Sequence, residues 1–275
     1  MVRTADLGPV ATDIAVLEIF NHAIVYLPED NLWLDGTATG HAPFPPPTVD
    51  QDALVLVIDG IHSSLQTSPV VGGGLSHTEF ALRTASDSMV EITISARDTG
   101  EAADYRRSKF AGSREPMRFA RWLQEQFPGA ELIGEPELQL IPNHDPTIIT
   151  IEGTVARSAL ASAGGIRTYP GTHEWGAMKV PGGVRHGPLM VAVVPELEWS
   201  LEVNLGRPPK PLPTAVDLDT DYGTLKIEFE AGSSGYLVRG LLHIEPGLIA
   251  AADVAGLREF LIAVERHLDR RLESP

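Results

Sequence analysis

The chain has 275 residues, 43% of them hydrophobic, with 21 Lys and Arg against 37 Asp and Glu for a net charge of −16. That composition supports a buried core of one large or two smaller domains, and the acidic balance disfavours nucleic acid and anionic lipid as partners. No apolar run reaches transmembrane length, so no membrane insertion is expected, and with no Cys in the chain disulfides, thiolate metal sites and an intrinsic cysteine nucleophile are excluded.

The first predicted element is a β-hairpin. Phe20–Leu27 and Leu32–Thr37 flank the turn residues Pro28-Glu29-Asp30-Asn31. A loop of two or four residues pairs Leu27 with Leu32 and Val25 with Leu34, and side-chain alternation then sorts the residues into two faces. Ala23, Val25, Leu27, Leu32 and Leu34 share a wholly apolar face, which is expected to pack on a core. His22, Ile24, Tyr26, Trp33, Asp35 and Thr37 share the other. His22 and Asp35 are diagonal neighbours on it, close enough for a carboxylate to orient an imidazole as a base. A plain interstrand hydrogen bond is the alternative reading of the same pair. Tyr26 and Trp33 face each other across the strands beside it, as a packing pair or as the wall of a substrate groove.

This hairpin, with its Asp35-Gly36-Thr37 ending, the proline-rich Pro43–Pro47 entry and the strand-like Gln51–Ile58 run, resembles the C-terminal half of the transglutaminase-like core of bacterial proteins. That family has a papain-like Cys–His–Asp site. The resemblance covers roughly residues 1 to 60 and implies catalytic roles for His22 and Asp35 and a protein or peptide amide as substrate, beside which Tyr26 and Trp33 are either packing residues or substrate-binding residues lining an acyl-donor groove. In such enzymes the Cys opens a helix, where the helix dipole and an imidazolium favour the thiolate. Val2-Arg3-Thr4-Ala5 is similar to the strand after that helix, so the resemblance implies a missing N-terminal catalytic half upstream of Met1 and a chain inactive by itself.

After Ile61-His62-Ser63-Ser64, the glycine run Gly72-Gly73-Gly74 reads as an interdomain connection. The expected organisation is therefore a partial transglutaminase-like core over residues 1–62, a linker over 63–74 and a β-rich domain over 75–275. Strands are predicted at Glu79–Thr84, Met89–Ala96, Glu137–Ile141, Thr147–Val155, Leu189–Val194, Leu197–Leu205, Gly223–Glu230 and Tyr236–Ile244. A Ser113-capped helix runs from Arg114 to Phe127 with Phe119, Leu123 and Phe127 on one face. The clearest helix is Asp253–Leu272: Asp253 is placed to cap it, and Val254, Leu257, Leu261, Val264, Leu268 and Leu272 form its apolar stripe. The fold class is α+β, antiparallel and β-rich: the partial core plus a β-sandwich-like domain with a C-terminal helix. This second part is also similar, loosely, to the uncharacterised domain that follows such cores in bacterial envelope proteins, which implies a lean to the periplasm or cell envelope.

The remaining candidates have simpler explanations. None of the nine His has zinc-protease spacing, and His144-Asp145 and His173-Glu174 fall in loops, so no metal and no cofactor is expected. The glycine runs lack the Lys-Ser or Lys-Thr of a phosphate loop, and Gly232-Ser233-Ser234-Gly235 reads as a hairpin tip. Arg106, Arg107 and Lys109 read as the solvated face of a short helix, available to the missing half. Function thus rests between a fragment of a cysteine acyltransferase or amide hydrolase and a non-enzymatic β-rich binding or structural module of an envelope protein. A hydrolase using His22, Asp35 and water alone is a third reading.

Overall fold

The computed structural model of the chain describes residues 1–8, 10, 17–37, 44–110, 116–140, 146–171, 180 and 186–273. The short strands come first: β1 (Val2–Arg3), β2 (Val25–Leu27), β3 (Leu32–Leu34), β4 (Leu54–Asp59) and β5 (His62–Thr67). β2 and β3 form a hairpin, and β1, β4 and β5 form a three-stranded sheet with β4 in the middle. Hairpin register follows side-chain parity, with Val25 opposite Leu34, Tyr26 opposite Trp33 and Leu27 opposite Leu32. The turn closes with Asn31 in the left-handed region at φ 49°, a conformation that Asn tolerates better than most residues.

Which hairpin face is buried is the reverse of the sequence expectation. Trp33 is 3% exposed and packs with Val2, Ala53 and Val55, joined by Ile24, Tyr26 and Val57. Val25 and Leu27, from the wholly apolar face, are 54% and 38% exposed. The physical reason is area: the paired aromatic rings bury more apolar surface than the aliphatic side chains opposite them, and β4 offers Val55 and Val57 to receive them.

The rest of the chain builds one large sheet. β6 (Leu75–Thr84), β7 (Met89–Asp98), α1 (Gly100–Phe110), α2 (Pro116–Gln126), β8 (Glu131–Gln139), β9 (Thr147–Ala156), α3 (Arg157–Ser162), β10 (Ile166–Arg167) and β11 (Leu189–Val191) lead to β12 (Glu196–Asn204). β13 (Val216–Thr220), β14 (Gly223–Ala231), β15 (Gly235–Ile244), β16 (Gly247–Ile249), α4 (Val254–Leu268) and β17 (Arg271–Leu272) complete the chain. Eight strands pair in the order β13-β14-β15-β12-β6-β7-β9-β8, antiparallel throughout except where β12 runs parallel to β6. The architecture is α+β, strand-rich and mostly antiparallel. Where two facing sheets were expected, these described strands form one mixed sheet, because helices and not a second sheet cover its apolar side.

Strand alternation explains that cover. Phe80, Leu82, Ile92, Ile94, Ile149, Ile151, Trp199, Leu201, Leu225 and Val238 share the buried side, where Phe119, Trp122 and Leu123 of α2 and Leu257, Phe260, Val264 and Leu268 of α4 meet them. Trp199 lies opposite Gly240, and a Cβ on Gly240 would sit 2.0 Å from the indole, so no larger residue fits there. Helix α4 is shorter than expected, ending at Leu268, after which Leu272 is buried in the β10–β17 ladder. Asp253 makes no side-chain cap. Helix α2 starts at Pro116, and its expected Ser113 cap lies outside the described residues.

The basic cluster is not a solvated face. The Arg106 Nε donates to Asp98 Oδ2 at 2.6 Å with its guanidinium 5.1 Å from the Trp122 ring centre, and Arg107 is buried against Asp104. Buried carboxylates from β7 and α1 claim both charges. Between the small sheets and the large one, Gln51 acts as a clip: its amide donates to the carbonyls of Pro46 (2.9 Å) and Gly72 (3.1 Å) and accepts from the amides of Val71 (2.8 Å) and Gly72 (2.9 Å).

Candidate active site

His22 is held by the strand before it. Val2 and His22 exchange backbone hydrogen bonds of 2.8 and 3.1 Å, and Asn21 and Thr4 tie the same two segments together through the Asn21 side chain. Arg3 donates to the carbonyls of Leu7, Gly8 and Ile19, fixing the connection from β1. The imidazole therefore stands on the buried, aromatic face of the hairpin, as side-chain parity predicts, beside Asp35 at the end of β3.

Asp35 is 5% exposed and its two oxygens have separate duties. Oδ1 accepts from the Thr37 amide at 2.8 Å and from the Thr37 hydroxyl at 2.7 Å, the closed turn that an Asp-x-Thr sequence makes. Oδ2 is left for His22 and lies 3.3 Å from Nε2. Burial alone would push the Asp35 carboxyl upward, but the Thr37 hydrogen bonds and the facing His22 outweigh it and hold the group below its ordinary value.

A third acidic group joins them. Asp50 ends a single 3-10 turn, Thr48–Asp50, and is fully buried, with Oδ2 3.7 Å from His22 Nε2. Its backbone is fixed by its own amide donating to Pro47 O at 2.9 Å and by the Ser68 hydroxyl donating to its carbonyl at 2.5 Å. Sequence reasoning missed it, because a lone Asp in a proline-rich stretch carries no periodicity and reaches the hairpin only through the tertiary fold.

These oxygens decide the chemistry of the ring. Nε2 faces the Asp35 carboxylate, the Asp50 carboxylate and the Thr37 hydroxyl, which lies 3.4 Å away with its proton committed to Asp35. Asp35 Oδ2 and the Thr37 oxygen accept, so a neutral ring bonded to them carries its proton on Nε2 and presents the Nδ1 lone pair. Among the described residues Nδ1 has no hydrogen-bond partner. An oriented, partly exposed imidazole with a free basic nitrogen is equipped to take a proton from a nucleophile approaching on that side.

Toward the hairpin turn the aromatic face lines a groove of about 480 Å³ with Ile24, Tyr26, Trp33, Val57, Ser64 and Gln66 among its walls, and His22, Asp35 and Asp50 are not part of its lining. The Tyr26 and Trp33 rings stack with centres 4.2 Å apart. Trp33, nearly inaccessible, forms the floor, while Tyr26 is half-buried and its hydroxyl donates to Asn31 Oδ1 at 3.2 Å.

The donor atoms of His22, Asp35 and Asp50 lie within 4.8 Å of one another, the one such grouping of His and carboxylates among the described residues. That spacing would also suit a small cation, with the imidazole then holding its proton on Nδ1. The loop pairs His144-Asp145 and His173-Glu174 lie outside the described residues. Among the described residues no helix is long and apolar enough to cross a membrane. No family model matches the sequence, and neither a curated protein nor a solved structure shows a significant match to it.

Proposed function

We propose that this chain supplies the acid–base half of a transglutaminase-like cysteine site, acting on an amide by acyl transfer or hydrolysis, with the thiol brought by a segment outside this sequence. The observation that carries the reading is the arrangement at His22: oxygens gather on Nε2 of a partly exposed imidazole, and among the described residues Nδ1 makes no hydrogen bond. In this reading Nδ1 takes the thiol proton and later returns it to the leaving amine, and Asp35 holds and stabilises the imidazolium. Tyr26 forms a wall of the groove that receives the acyl donor, over the Trp33 floor. The chain by itself has no Cys and is expected to be inactive.

The alternative, a non-enzymatic binding or structural module, gains from the same missing thiol and from the exposed Val25 and Leu27, which suit an interface. It offers no reason for two buried carboxylates to converge on one imidazole. The test is to read the coding frame upstream of Met1, join the chain to any Cys-bearing helix found there and measure ammonia release from a glutamine peptide, with an in-frame stop and no such helix counting against the reading. His22→Ala is expected to reduce the rate by about a hundredfold or more. Equal rates for parent and variant would remove the acid–base role.

A further inference from the structure

We infer that Asp50 is a second positioning residue for His22, a buried carboxylate that holds the Nε2 proton jointly with Asp35 and keeps Nδ1 basic even when Asp35 lets go. This deepens the acid–base reading of His22 and rests on it. Among the described residues, the groups facing the ring nitrogen are Asp35 just after β3, Thr37 two residues on, and Asp50 from the turn before β4. Asp35 divides its attention, since Oδ1 belongs to Thr37. Asp50 approaches from a different element, whose position is set by Ser68 and by the Gln51 clip. At 3.7 Å it is in ion-pair reach, and a small ring rotation turns Nε2 from one carboxylate toward the other.

The arrangement has a chemical consequence. A base that swings between resting and reacting positions must keep the same tautomer in both, or its lone pair turns away from the nucleophile. Two acceptors fixed on separate elements accomplish that without either one moving. A carboxylate accepts only, whereas an amide in its place can donate to Nε2 and drive the proton to Nδ1.

Ring-nitrogen NMR of the full chain, at a pH where His22 is neutral, reads this directly and needs no nucleophile. In the parent the proton is expected on Nε2. Asp35→Asn alone is expected to leave it there, because Asp50 still accepts; a switch to the Nδ1–H form in that single variant would overturn the proposal. Asp35→Asn with Asp50→Asn is expected to switch the ring to Nδ1–H, and retention of Nε2–H in this folded double variant would equally overturn it. Should the double amide not fold, Asp35→Asn with Asp50→Ala takes its place and is expected to give a mixture of both forms, with a pure Nε2–H ring contradicting the proposal. A purely structural role for Asp50 would lower the melting temperature and leave the tautomer untouched. Failure here would leave the His22→Ala activity result standing, so the two claims fail separately.

Discussion

The two parts of the molecule differ in where their stability and their chemistry lie. The eight-stranded sheet buries a continuous core under α2 and α4, whereas the N-terminal sheets rest on a cluster of Val2, Trp33, Ala53 and Val55 and leave Val25, Leu27, Ile58 and Leu65 mostly or partly in solvent. The candidate catalytic groups all belong to the thinner part. Local opening is cheapest where apolar contacts are few, so the region proposed to admit a nucleophile and a substrate is also the one least held by packing.

Core substitutions should show this difference most strongly. Trp199→Ala removes a buried indole together with its hydrogen bond to Thr168 O and is expected to cost about 3–5 kcal/mol of global stability. Denaturant unfolding measures it. Trp33→Ala should leave the unfolding of the large sheet unchanged and abolish hydrogen-exchange protection only in residues before 68. Loss of protection across β12 and β15 in that variant would mean the two parts unfold together.

Gln51→Ala comes next, because it strands two carbonyls and two amides at the join between the parts, for a cost of about 2–3 kcal/mol read in the N-terminal exchange pattern. Acid should act on the same side of the comparison. The folded Asp35 carboxyl sits below its ordinary value, so its contribution to stability is present above the unfolded value of 3.8 and is lost as pH falls through the lower folded value. A stability curve in which Asp35→Asn flattens that acid limb is the expected result. The smallest effect belongs to Val25→Ser with Leu27→Ser, which should change stability by less than about 0.5 kcal/mol while reducing self-association in sedimentation, since those side chains face water.

How much was legible in the sequence follows the same division. Strands with strict alternation were readable: Met89–Ala96, Thr147–Val155 and Tyr236–Ile244 all lie inside observed strands, and Gly232–Gly235 does turn between β14 and β15. Hairpin register was readable because loop parity sets it. The buried face of the hairpin was not, since two faces each carrying apolar residues are told apart only by what packs on them. Helix α1 was read only as a short helix with a solvated basic face, for a related reason: its buried side carries Asp104 and Arg107, paired with each other, among Gly100, Ala103 and Phe110, so an apolar stripe is lacking and periodicity is silent. His22 and Asp35 could be placed on one face from sequence, but Asp50 is brought to them by a fold whose local signal ends at a proline run.

His22 is proposed to serve as the base for a thiol that this chain does not carry. With any Cys-bearing helix found in the reading frame upstream joined to it, ammonia release from a glutamine peptide should fall by about a hundredfold or more in His22→Ala and by less in Asp35→Asn, where Asp50 still holds the Nε2 proton. If both variants release ammonia at the parent rate, the assignment of the pair is wrong.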